Sequence, residues 1–128
     1  MRYAIDTDVA IDYLRGGENA VSRMSEISEV YVTPATVAEL FYGAYNSDQP
    51  EKRLREVFRF LEGCHLLPMD HTSCRLFGYM KALQERKGRK RGDFDLLVAS
   101  VCAANGCTLI TRNVRHYADL EGLSVESI

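Results

Sequence analysis

Tryptophan is absent from the 128-residue chain, prolines number three, and no Cys-x-x-Cys pair occurs. No apolar run approaches the roughly 20 residues a membrane-spanning helix needs. Only Tyr3, Ala4 and Ile5 stand between the first two residues and the first acid, whereas a secretory leader requires an apolar segment of about 7–15 residues. A cytoplasmic protein without membrane attachment is therefore expected. The four cysteines, Cys64, Cys74, Cys102 and Cys107, sit in apolar settings, and reduced, buried thiols are expected of them. His65, His71 and His116 are dispersed, which excludes zinc-type spacing. Neither a Ser–His–acid arrangement nor a glycine-rich phosphate loop is present. An excess of basic charge is missing too: 16 Lys and Arg face 18 Asp and Glu, a net charge of -2. No global field recruits nucleic acid, so any such contact must rest on a local patch. There is no repeat, linker or low-complexity tract, and the length suits one domain over residues 1–128.

What is present alternates between short apolar strands and helices. Tyr3-Ala4-Ile5 is stopped by Asp6-Thr7-Asp8, and a helical pattern through Ile11 and Leu14 ends at Gly16-Gly17. Val30-Tyr31-Val32 reads as a second strand. Thr33-Pro34 then supplies an N-cap and a first-turn proline. Val37, Leu40, Phe41 and Ala44 form the stripe of the next helix, where Gly43 is expected to let a neighbour pack close. A helix over 51–62 is expected to turn Leu54, Val57, Phe58 and Leu61 inward. His65-Leu66-Leu67 is a third strand, Asp70 starts a helix running to about Lys87, Thr108-Leu109-Ile110 is a fourth strand and Leu123-Ser124-Val125 a fifth. This order implies an α/β fold with a mostly parallel sheet covered on both faces. Ligands of such sheets bind beyond the carboxyl ends of the strands, where the topology switches.

Several acids fall at that rim. Asp6 directly follows the first strand and reads equally as a site carboxylate or a helix cap; Asp8, in the same loop, leans further toward the cap. Glu39 lies opposite the apolar stripe of its helix, facing solvent or a cleft, and periodicity does not decide between them. Asp95 opens Leu96-Leu97-Val98-Ala99-Ser100-Val101-Cys102-Ala103-Ala104, apolar on nearly every face. A helix of that kind is buried all round, which puts a first-turn carboxylate at the core's edge. Asp93 is the better N-cap candidate, leaving Asp95 free. Asn113, past the fourth strand, is either a turn residue or a neutral ligand at the Asp6 rim.

Ile5-Asp6-Thr7-Asp8, Val37-Ala38-Glu39-Leu40 with Gly43-Ala44, Asp95-Leu96-Leu97-Val98-Ala99 and Thr108-Leu109-Ile110-Thr111-Arg112-Asn113 together resemble the four blocks of the PIN-domain family. Their order and spacing, with the ending Gly122-Leu123-Ser124-Val125-Glu126, look like VapC-type toxins of toxin–antitoxin pairs. The resemblance covers essentially the whole chain. It implies a PIN-like three-layer α/β/α sandwich with five strands, and a divalent-cation-dependent endoribonuclease. It also implies a homodimer inhibited by a small VapB-like antitoxin. Carried over by position, Asp6, Glu39 and Asp95 match the family acids, and Asn113 falls where the family has a fourth acid or asparagine. Thr7, Asp8, Asp93 and Thr111 become supporting groups around them, Thr111 as a hydroxyl that orients an acid.

The chemistry of such a set is constrained. Two carboxylates about 4 Å apart repel by roughly 4 kcal/mol at an effective dielectric of 20. Three ionised acids at one rim need a cation among them or a proton on one. All-oxygen ligands suit Mg²⁺ or Mn²⁺. The run Arg86-Lys87-Gly88-Arg89-Lys90-Arg91 holds five cations in six residues. It is either solvated surface or, because it leads into Asp95, a phosphate-binding patch at the site mouth that Arg112 and Arg115 extend. Lys87, Arg89, Lys90, Arg91 and Arg112 are thus the candidate RNA contacts. Two alternatives stay open. Asp6-Thr7-Asp8 also resembles the first motif of haloacid-dehalogenase-type phosphatases, with Asp6 as nucleophile and Asp8 as acid and base. The third reading is a non-catalytic partner-binding module.

Overall fold

Alternation along two neighbouring strands sets the layering. In the computed structural model, which describes residues 1–128, β1 (Arg2–Ile5) lies between β2 (Val30–Val32) and β4 (Cys107–Thr111). Successive strand side chains point to opposite faces. Ala4 and Leu109 join one core cluster, while Ile5 and Ile110 join the other. The first cluster packs under α5 (His71–Arg86) and α6 (Asp93–Ala104). The second lies beneath α1 (Thr7–Leu14), α2 (Glu18–Ser25), α3 (Pro34–Tyr45) and α4 (Pro50–Glu62). Helices therefore cover both faces of one sheet, the three-layer sandwich.

With β3 (Cys64–Leu66) and β5 (Ser124–Ser127), the strand order is β3-β2-β1-β4-β5, and every pairing is parallel. The chain moves outward from β1 in one direction through β2 and β3, then crosses to the other side for β4. The reversal falls between β1 and β4, and the crevice beyond their carboxyl ends is where an open α/β sheet presents its ligand site. No helix is long and apolar enough to cross a membrane.

Local chemistry explains most element boundaries. Thr33 caps α3, its hydroxyl accepting from the Thr36 amide at 3.2 Å, with Pro34 in the first turn. Asp70 caps α5 by accepting from the Ser73 amide at 3.0 Å. The structure corrects five expectations. α2 carries too few apolar residues to announce itself; only Ala20 is buried in it. On α4, Leu54, Val57 and Leu61 turn inward as expected, but Phe60 is buried with them, while Phe58 is 56% exposed and meets Phe41 edge-on. Gly43 has open space where a Cβ would stand, so it serves no close approach. Of the cysteines, all free, Cys102 and Cys107 are buried, Cys64 is half-buried and Cys74 is exposed. Gly92, not Asp93, caps α6, and no side chain caps its amides.

Candidate active site

Asp6 ends β1 and caps α1, its amide donating to the Ile110 carbonyl of β4 at 2.9 Å. Its side chain is only 7% exposed. Oδ1 accepts from the Thr7 amide at 2.9 Å. Oδ2 accepts from the Thr111 hydroxyl and from the Tyr117 phenol, each at 2.8 Å. A carboxylate oxygen receiving two hydroxyls is fixed in direction.

Asp95, in the first turn of α6, comes to the same point from the opposite face of the sheet. Its Oδ1 lies 3.3 Å from the Tyr117 phenol, and its Oδ2 lies 3.3 Å from Nδ1 of His116. Glu39 sits one turn after the buried Thr36 on α3. It is half-buried, and its Oε1 accepts from the Thr7 hydroxyl at 2.6 Å. The Thr7 hydroxyl is also 3.2 Å from that of Thr36. Thr7 and Tyr117 thus link Asp6 to Glu39 on one side and to Asp95 on the other.

Burial first, and then neighbouring negative charge, raises three of the acids. Burial pushes the Glu39 carboxyl above the usual range, the Thr7 hydrogen bond offsets this in part, and the charges of Asp6 and Asp95 add to the rise. Burial likewise raises Asp95, with His116 opposing and Asp6 reinforcing the shift. Asp8 is raised by burial and then by the charge of Asp6. Its Oδ1 accepts from the Val9 amide at 2.8 Å, and its Oδ2 from the Asn113 side-chain amide at 2.6 Å. Negative charge is therefore concentrated here, opposed in part by His116 and Arg91 at Asp95 and by Arg112 at Asp8.

Other expected residues distribute as follows. Asn113 is exposed and serves Asp8, not Asp6; its own amide donates to the Thr111 hydroxyl at 3.0 Å. Asp93 is not in the cluster, because it occupies the first turn facing outward and pairs with Lys81 at 2.9 Å. Asp12 is not simply solvated but pairs with Arg112. Arg89 pairs with Asp119 at 2.7 Å, and the Arg91 guanidinium is committed to backbone carbonyls. Lys87 and Lys90 are exposed. Tyr117 and His116 are the functional-site residues that sequence reasoning missed. They lie in a 3-10 turn, Val114–Tyr117, too short for a periodic signal. The most voluminous groove, about 520 Å³, lies elsewhere, beside α1, α2 and α4, and none of the acids lines it.

The donor chemistry suits a hard divalent cation: the carboxylates offer oxygen ligands, and the raising of Glu39 and Asp95 by burial and by the charge of Asp6 is what a cation relieves. As the side chains stand, no three His, Cys, Asp or Glu groups converge on one metal-binding point. Asp6 and Asp95 meet on the Tyr117 hydroxyl instead.

The sequence profile of the PIN domain matches residues 3–121. The chain belongs to the PIN-domain family. Within it, the chain is 28% identical over 129 residues to Ribonuclease VapC2 of Haemophilus influenzae, covering 99% of this chain and 98% of that protein. It is 26% identical over 128 residues to the tRNA(fMet)-specific endonuclease VapC of Shigella flexneri, covering 98% and 97%. The crystal structure of DNA-bound VapBC from Salmonella typhimurium superimposes with a TM-score of 0.93 at 26% identity, over 99% of this chain and 98% of that one. In this PIN domain the acids therefore occupy the sheet's switch point.

Proposed function

We propose that this protein is the endoribonuclease toxin of a toxin–antitoxin pair, hydrolysing RNA phosphodiester bonds with Mg²⁺ or Mn²⁺. The observation that carries the reading is the gathering of Asp6, Glu39 and Asp95 at the β1/β4 crevice of a PIN domain whose full-length relatives are named ribonucleases. Asp6 and Asp95 would hold the ion, with Glu39 positioning water or a second ion. When bound, the ion supplies a more acidic water and offsets charge on the scissile phosphate. The chain's own contribution is orientation. Thr7, Thr111 and Tyr117 fix Asp6, Thr7 aims Glu39, and Asn113 holds Asp8. Exposed Lys87 and Lys90, with Arg89 and Arg112, are the proposed contacts to RNA phosphates. Similar solved structures include VapBC-5 of Mycobacterium tuberculosis, a member of the VapBC family of toxin–antitoxin systems, and we extend to this chain a small VapB-like antitoxin, a homodimer and a cytoplasmic setting.

The phosphatase alternative loses its support, since the profile that matches residues 3–121 is that of the PIN domain and a phosphatase of that type has no use for Glu39. The test is cleavage of RNA with and without Mg²⁺. Asp6→Asn and Asp95→Ala are each expected to lower the rate at least about 100-fold, the upper range for groups that merely support a ligand. Undiminished Mg²⁺-dependent cleavage by either variant would reject the assignment.

A further inference from the structure

The turn after β4 brings two side chains back onto the acids, and one residue far from it in sequence grips that turn. Arg91 lies just before α6. Its Nη1 donates to the Arg115 carbonyl at 3.2 Å and to the His116 carbonyl, and its Nη2 donates to the Ala118 carbonyl at 2.5 Å. Its Nε donates to Oε1 of Gln84 at 3.3 Å, and Gln84 is 1% exposed on α5. A guanidinium presents five N–H groups in a rigid planar fork, whereas an ammonium is a point charge on a flexible stem. Three carbonyls and an amide oxygen around one side chain need that fork. Charge alone does not provide it.

The gripped residues flank Tyr117. Its ring is 2% exposed within the core, and its hydroxyl donates to Asp6. His116 of the same turn faces Asp95. A short 3-10 turn has poor internal hydrogen-bond geometry and does not hold its own register well. The phenol has one proton, so the 2.8 Å contact to Asp6 and the 3.3 Å approach to Asp95 are set by where the turn places the oxygen.

We propose that Arg91 is a positioning residue of the active site: by holding the carbonyls of residues 115, 116 and 118, it fixes the Tyr117 hydroxyl on Asp6 and His116 beside Asp95. The proposal rests on the ribonuclease reading. It moves Arg91 from the RNA-binding patch to the support of the acids.

Four proteins test it: wild type, Arg91→Lys, Tyr117→Phe and the double variant. RNA cleavage is measured in Mg²⁺, and RNA binding to the metal-free proteins is measured by fluorescence anisotropy over a range of salt. Arg91→Lys, although it keeps the charge, is expected to lower kcat on the order of tenfold, with KM and the salt slope of binding unchanged. Tyr117→Phe is expected to do the same. The double variant is expected to fall no further than the weaker single, because both changes break one chain of contacts. Wild-type kcat in Arg91→Lys would show that charge suffices and overturn the proposal, as would losses that multiply in the double variant. Tyr117→Phe keeps the buried ring, so wild-type kcat there overturns the proposal whatever the stability of the Arg91 variants. If wild type itself cleaves no RNA, the ribonuclease reading fails. An active wild type with an equally active Arg91→Lys sinks the clamp alone.

Discussion

Three hydrogen bonds fix the carboxylate of Asp6 in place, and the carboxyls of Asp95 and Glu39 are raised by burial and by neighbouring negative charge. The consequence for stability has a definite sign. A carboxyl whose folded pKa lies above its unfolded value binds protons more tightly when folded, so its ionisation opposes folding at neutral pH. That penalty is relieved as the pH falls through the raised folded value toward the unfolded one, about 4. In metal-free protein, Asp95→Asn is therefore expected to raise the thermal midpoint at pH 7 while abolishing cleavage, and the gain should shrink toward about pH 4. A midpoint lowered at neutral pH, read by calorimetry, would show that Asp95 is held by contacts stronger than its repulsion. Asp6 and Asp95 were legible because one follows a strand and the other opens a helix, whereas Glu39, in the middle of α3, joined them only through the family resemblance, since periodicity did not decide which way it faces. Tyr117 and His116 were not legible, because the contact from Tyr117 to Asp6 spans 111 positions and leaves no local pattern.

Individual helices were readable where their ends carry chemistry. α3 is announced by Thr33-Pro34, and the buried Thr33 hydroxyl does what a capping hydroxyl should. Because α3 also carries Thr36 and Glu39, its start sets the position of an acid. Thr33→Ala is expected to cost about 1 kcal/mol of stability, measured by urea unfolding, and a loss below a few tenths would mean that other donors replace the cap. α6 illustrates the opposite case. Asp93 has the residue type of a cap, yet Gly92 in an extended conformation starts the helix and Asp93 pairs with Lys81 across to α5. The error on α4 has the same origin: exposed Phe58 and buried Phe60 are two residues apart, and composition cannot say which side of a helix faces the sheet.

Across the whole molecule, the alternation of strands and helices implied the parallel, doubly covered sheet. The strand order depends on which strands pair at long range, and that information is not local. The two-sided core is also what brings α3 and α6 to one crevice, since Glu39 arrives from one layer and Asp95 from the other. Charge outside the crevice is unevenly committed. Arg89, Arg91 and Arg112 have partners within the fold, whereas Lys87 and Lys90 are exposed. If the two lysines meet single-stranded RNA, changing each to Gln should reduce the steepness of log K against log salt by about 0.7 per residue. An unchanged slope in anisotropy titrations would remove them from the interface.

The position of β1 in the middle of the sheet has a consequence for biosynthesis. Asp6 is synthesised about a hundred residues before its partners: the carbonyl that receives its amide and the hydroxyls that orient its carboxylate belong to Ile110, Thr111 and Tyr117. A nascent polypeptide ending before residue 107 has an unpaired edge where β4 belongs and lacks those partners. During synthesis the acid is thus held in its working orientation only after β4 and the turn behind it have been made.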